Sequence, residues 1–194
     1  MKRKMKKMIK VLLLTALVFL AIDIGFSFCF ATEEPVQVLL TSVGQSPDAR
    51  MVDVLGKKYQ LKMDYQQLAK SDIVKNYKIV VAVVGGSSKG LGAAGIDKEQ
   101  ELERAAALIK EIKDREIKFL AMHIGGESRR GILSDLFLDA VMPYADHIMI
   151  VESGNMDGYF SNISKEKEIP LEKFGKILEA GELLKKYFQD NLGK

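Results

Sequence analysis

Residues 78–84 read KIVVAVV, an unbroken apolar run after the lysine. A strand with one wet face alternates apolar and polar positions, so a run this apolar and β-branched describes a strand buried on both faces. Both faces are covered only when helices pack on each, which points to a parallel sheet inside an α/β domain. Comparable runs are VQVLL (36–40), IKFLAMHI (117–124) and HIMIVE (147–152), and YQLKM (59–63) reads as an edge strand. Helical segments are expected between them. One runs from Pro47 to about Gly56 with Ser46 as its N-cap, and a short one lies near Tyr65–Lys70. Another runs from the Asp97/Gln100 capping-box pair to about Asp114, and one from Arg129 to Val141 is stopped by Pro143. A last one runs from Leu171, behind Pro170, to about Asp190. This alternation predicts a three-layer α/β sandwich with a five-stranded parallel sheet, flavodoxin-like (Rossmann-like) in its order 2-1-3-4-5.

Ahead of this domain, MKRKMKKMIK is followed by the apolar VLLLTALVFLAI and then DIGFSFCFA. A basic, an apolar and a short small-residue region describe a signal peptide over residues 1–31, cut near Ala31. The rival is an uncleaved anchor over 11–30, disfavoured by Asp23. In either case the domain at 32–194 is exported across the cytoplasmic membrane, to be secreted, periplasmic or at the cell surface, and any membrane contact is through the leader. Bulky Phe28 before Cys29 argues against lipidation. Six of the 29 Lys and Arg but one of the 26 Asp and Glu fall in 1–31, leaving 23 basic against 25 acidic side chains, a net of about −2. The basic balance of the whole chain therefore belongs to the leader, and no nucleic-acid surface is implied. Cys29, the sole cysteine, leaves with it, so the domain has no disulfide or thiol nucleophile.

In a parallel α/β sheet, ligands bind beyond the carboxyl ends of the strands. The loops expected there are TSVGQSPD (41–48), GGSSKGLGAAG (85–95), GGESRRG (125–131) and ESGNMDG (152–158), all dense in glycine and short polar side chains. The connectors at the other edge, GKK, KNYK and KDREIK, are plain charged turns. Glycine lets backbone N–H groups approach an anion, and hydroxyls add donors. Ser42, Gly44, Gln45, Ser46, Gly85, Gly86, Ser87, Ser88 and Gly90 are the candidate donors and cradle. Lys89, Arg129 and Arg130 supply positive charge, and Glu127, Glu152, Asn155 and Asp157 orient polar groups.

Residues 85–95 hold two catalytic-looking patterns. Gly90, Gly92 and Gly95 spell the dinucleotide fingerprint, but Gly85 to Lys89 separate them from their strand, and no acidic residue ends the next strand. Gly86, Ser88 and Gly90 spell a nucleophile elbow, in which a helix should start directly behind Ser88, whereas GLGAAG is expected to delay it. His123, at the rim end of its strand, is a candidate base for Ser88 or Ser42; His147 belongs at the opposite edge. Thr41 to Ser46 resembles a flavodoxin phosphate loop, with Val43 where threonine is usual, and the second and third loops carry no aromatic for a flavin ring. No cofactor is expected. Asp48, Glu127, Glu152 and Asp157 are candidate carboxylate ligands for Mg²⁺ or Ca²⁺, at a spacing that fits no calcium loop.

Through TSVGQSPDA, GGSSKGLGAAGI, HIGGESRRG and ESGNMDGYF, residues 32–194 resemble an uncharacterised family of exported bacterial α/β domains. The resemblance implies the fold, the export and the rim, and no reaction. The leading expectation is an exported binding domain for a small anionic ligand, a carboxylate or phosphate, serving a membrane transporter or a sensor. The alternatives are a serine-dependent hydrolase or transferase on the same rim, and a partner-binding accessory protein.

Overall fold

The computed structural model describes residues 3–5 and 35–193, and the reading of residues 1–31 as a leader lies, apart from 3–5, outside them. Among the described residues no helix is long and apolar enough to cross a membrane. The body from Val36 onward is one α/β unit. Its strands are β1 (Val38–Val43), β2 (Asp64–Tyr65), β3 (Ile79–Val84), β4 (Lys118–His123), β5 (His147–Val151) and β6 (Leu171–Phe174). They form one sheet in the order β2-β1-β3-β4-β5-β6, parallel throughout, which is the expected order extended by one edge strand. The helices are α1 (Asp48–Lys58), α2 (Ser88–Ala94), α3 (Lys98–Asp114), α4 (Ile132–Val141), α5 (Tyr159–Lys167) and α6 (Glu179–Leu192).

The run that predicted the sheet lies at its centre, and every residue of β3 is buried. Alternate side chains divide between two cores, as the two-residue period of a strand requires. Val80, Ala82 and Val84 meet Leu108 and Ile112 of α3, Phe137 of α4 and Phe160 of α5. Ile79, Val81 and Val83 share the other core with Val52 and Leu55 of α1 and Leu184 and Phe188 of α6. The Asp97–Gln100 capping box forms as expected, each side chain accepting from the other's backbone N–H.

Three assignments change. Residues 59–63 are not a strand. Leu61 N donates back to Gly56 O at 2.8 Å, closing α1, and the Met63 methyl occupies the space above the bare Gly56. The alternation in YQLKM thus reflects packing on α1, and the edge strand follows at Asp64–Tyr65. The helix expected at 65–70 is instead a 3₁₀ segment at Ser71–Asn76, which buries Val74. Finally, Leu171–Phe174 is a strand, not the start of the last helix. Ile148 N donates to Pro170 O at 2.9 Å, so the proline, which has no N–H to give, sits where only its carbonyl is required. The unforeseen α5 precedes it.

Candidate functional site

The first two rim loops are stitched together by their backbones. Gly85 N donates to Val43 O (2.9 Å), Ser87 N to Gly44 O (2.8 Å) and Ser46 N to Gly85 O (3.1 Å), while Gln45 and Gly86 form an antiparallel bridge. Gly44 has φ +88°, and a Cβ there would stand 2.5 Å from Gly85 O, so the crossing requires glycine. Ser87 caps α2, its Oγ accepting from Gly90 N at 3.0 Å. The helix therefore begins at Ser88 itself, with none of the delay expected from GLGAAG. Gly90 and Gly92 lie inside α2 and Gly95 ends it, so the fingerprint glycines build a short helix and not a strand-to-helix turn.

Gly90 is required for packing. A Cβ there would lie 1.9 Å from the Gln45 carbonyl oxygen, whereas at Gly92 nothing stands within 4 Å. Gly90→Ala is expected to cost about 1–3 kcal/mol by forcing the loops apart. Gly92→Ala is expected to stabilise by roughly 0.5–1 kcal/mol, because alanine is the better helix former. Urea unfolding of the two variants measures the contrast, and equal costs would refute this assignment of the glycines.

Where these loops meet the β2 edge, a cleft of about 630 Å³ opens. Among the described residues, three cationic side chains line it, Arg50 from α1, Lys89 from α2 and Arg129 from the loop after β4, and no carboxylate does. Arg50 donates to Asp53 at 3.0 Å and lies over the Tyr65 ring, 5.7 Å from its centroid. Burial raises the Tyr65 hydroxyl above its usual pKa, Arg50 opposing and Asp53 adding, so it remains a neutral donor at physiological pH. Among the described residues, Lys89 and Arg129 have no hydrogen-bonding or ion-pairing partner. The Arg129 stem rests on Gly125, where a Cβ would stand 2.2 Å from Arg129 Cγ.

Behind the cleft is a polar network that sequence reading missed. Glu101 of α3 is fully buried. Its Oε1 accepts from Gly44 N (2.8 Å), Gln45 Nε2 (2.8 Å) and an Arg104 guanidinium N–H (2.9 Å), and its Oε2 accepts from Arg104 Nε (2.8 Å). Arg104 also donates to Ala69 O at 2.8 Å and to Ser42 O. Gln67 Nε2 donates to Gln45 Oε1 at 3.0 Å, which extends the network to the cleft wall.

The structure divides the residues expected to act together. Gln45, Ser46, Ser87, Lys89, Gly90 and Arg129 share the cleft, with the Gly44, Gly85 and Gly86 backbone behind them. Ser88 is exposed at the start of α2. Ser42 is fully buried in β1 on the side of the sheet that carries α1 and α6. His123 is also fully buried but on the opposite side, stacked at 5.5 Å on Phe160. Its ring nitrogens face Val84 O (2.9 Å) and Gly126 O (3.3 Å). Ser42 and His123 are thus on opposite faces, and His123 bonds to neither serine.

Arg130 lies away from the cleft, with donors committed to Asp135 (2.7 Å), Gly154 O (2.8 Å) and both oxygens of Asp157 (3.1 and 2.9 Å). Asn155 Oδ1 accepts from Phe160 N and Ser161 N at the start of α5. Glu127 borders a separate hollow of about 210 Å³ with Arg130 and Asp157, and Glu152 is exposed. Asp48 is buried between Gly85 and Gly125, its Oδ2 without a hydrogen-bond partner among the described residues. Among the described residues no three His, Cys, Asp or Glu side chains converge as a metal site would require.

Comparison with solved structures finds distant likenesses. The psychrotrophic esterase EstA from Pseudoalteromonas sp. is 13% identical, with 82% of this chain and 97% of that one covered and a TM-score of 0.32. The esterase AlinE4, of the SGNH-hydrolase family, is 12% identical over 76% and 79% of the two chains, with a TM-score of 0.29. Likenesses this distant carry no argument about chemistry. Among curated protein sequences none matches. The match that places the chain is to a family model that covers residues 35–188, nearly the whole α/β body, and the chain belongs to that family, described as a domain of unknown function (DUF6305).

Proposed function

We propose that the protein is an exported binding domain that holds a small anionic ligand, a carboxylate or phosphate compound, in the cleft at the carboxyl edge of the sheet. One observation carries this reading: Arg50, Lys89 and Arg129, from three separate segments, line one concavity that no carboxylate of the described residues enters. Converging like charges repel, and an anion between them turns that repulsion into attraction. Among the described residues, Lys89 and Arg129 have no partner to give up. Charge-assisted hydrogen bonds are worth about 1.5–3 kcal/mol each. The volume suits a compound of several heavy atoms with its charge at one end. Such a domain would present its ligand to a membrane transporter or a sensor. The hydrolase alternative has in its favour a helix that starts at Ser88, but among the described residues no base is hydrogen-bonded to that serine.

The test is calorimetric titration of the full chain with succinate and with inorganic phosphate, repeated on Lys89→Ala/Arg129→Ala. The double variant is expected to lose at least about tenfold in affinity for whichever anion binds, in line with the loss of two charge-assisted contacts. Affinity unchanged in the double variant, or no binding of either anion to the unaltered protein, would overturn the reading.

A further inference from the structure

Resting on the cleft as the anion site, we infer that Gln67 reads a hydrogen-bond donor on the ligand, so that the site selects hydroxylated anions over plain ones.

The inference follows from a chain of fixed polarity. A carboxylate oxygen only accepts, so the Gln45 atom 2.8 Å from Glu101 Oε1 is the amide nitrogen. Arg104 holds that carboxylate through Nε and a terminal N–H, which leaves it no freedom to turn away. Gln45 must then present its oxygen to Gln67, and Gln67 must answer with Nε2, as it does at 3.0 Å. The Gln67 side-chain oxygen, Oε1, is thereby turned away from Gln45, on a residue that lines the cleft. It accepts no hydrogen bond from any described residue. Reversing the Gln67 amide would break its bond to Gln45 and set two oxygens against each other. The buried Glu101 thus fixes the orientation of an exposed amide two residues away in the chain of contacts.

The other polar groups of the cleft are mostly donors or already engaged. Arg50, Lys89 and Arg129 only donate. Gln45 Oε1 is occupied by Gln67, Ser46 Oγ accepts from Asp48 N (3.4 Å) and Ser87 Oγ from Gly90 N. Gln67 belongs to the same cleft lining as Arg50, Lys89 and Arg129, and the ligand that pairs with its Oε1 as well as with those cations is an anion with its own hydroxyl or amine. A carboxylate or phosphate lacking one would leave that oxygen to water or meet it oxygen to oxygen.

Two matched pairs of compounds test this by calorimetry on the full chain: malate against succinate, and glycerol 3-phosphate against propyl phosphate. The hydroxylated member of whichever pair binds is expected to bind about threefold to tenfold more tightly. Gln67→Leu, a substitution at an exposed position, is expected to abolish the preference between the two members of the pair. Arg129→Ala is expected to weaken both members alike. Equal affinities in the unaltered protein, or a preference that survives Gln67→Leu, would overturn the inference and leave the anion site standing. Binding insensitive to Arg129→Ala, or no binding in either pair, would overturn the anion site and this inference with it.

Discussion

Glu101→Ala is expected to destabilise the domain by about 3–5 kcal/mol, the range for removing one member of a buried ion pair. The cost lies less in the lost attraction than in what is stranded. The Arg104 side chain is 13% exposed and would keep only backbone carbonyls of Ala69 and Ser42 as partners. Gly44 N and Gln45 Nε2 would lose their acceptor in a buried place, and an unpaired buried polar group costs about 1–3 kcal/mol by itself. Gln45 holds φ +59° in the loop that Glu101 anchors, so local strain would lose its restraint too. Urea unfolding should show a lowered midpoint with an unchanged slope, and heating a fall in Tm on the order of 10 °C. Glu101→Leu/Arg104→Met should recover part of the loss, because replacing both charges by apolar groups removes the stranded partner. A single variant within about 0.5 kcal/mol of the parent would show that Glu101 anchors nothing.

Much of the sheet was legible in the sequence, and the reason is physical. β3, β4 and β5 are buried on both faces, so apart from Lys118, His123 and His147 at the strand ends their side chains are apolar, and the β-branched residues of β3 mark the run as a strand. The edges were misread because an edge strand is short and half polar. Asp64–Tyr65 and LEKF carry no such run, and Met63 alternates with Leu61 for packing reasons of its own. The misplaced edge had a consequence for the site. With a strand expected at 59–63 and a helix after it, Gln66 and Gln67 fell outside the rim, although they follow β2 as directly as Gly85 follows β3. Lys89 and Arg129, which line the cleft, were singled out because glycine-rich loops mark themselves by composition. Glu101 and Arg104 were not, since a glutamate and an arginine three positions apart on a helix read as an exposed pair until the fold buries them. The adjacent arginines at 129 and 130 looked equivalent in sequence. Backbone direction separates them: Arg129 ends a 3₁₀ turn, whereas Arg130 is extended and points its side chain toward α5.

That separation sets the second large effect. Arg130→Ala is expected to cost about 2–3 kcal/mol, although Arg130 sits beside an arginine whose loss should barely change stability. Its side chain is 12% exposed and joins three elements: Asp135 in α4, Gly154 O and Asp157 in the loop after β5, and the Tyr159 and Phe160 rings of α5 at 4.6 and 5.4 Å. Both carboxylates are partly exposed, and so return to water more easily than buried ones. That holds the cost below the 3–5 kcal/mol of a fully buried pair. Arg130→Lys should rescue less than half, because an ammonium cannot bridge both Asp157 oxygens and Gly154 O while lying flat on Tyr159. The same contact has a pH signature. Donation from Arg130 holds Asp157 below its usual value of 3.8, with the Tyr159 backbone N–H adding to the effect. A depressed folded-state pKa contributes stability that is complete above the unfolded value and is lost as pH falls through the folded one. The stability gap between the parent and Arg130→Ala should therefore be constant from neutral pH down to about 5 and narrow below about 4. Urea melts across that range test the sign, and hydrogen exchange of residues 152–161 tests the place. A gap that widened on acidification, or exchange that quickened elsewhere in the sheet and not in this loop, would show that Arg130 stabilises the domain through some contact other than Asp157.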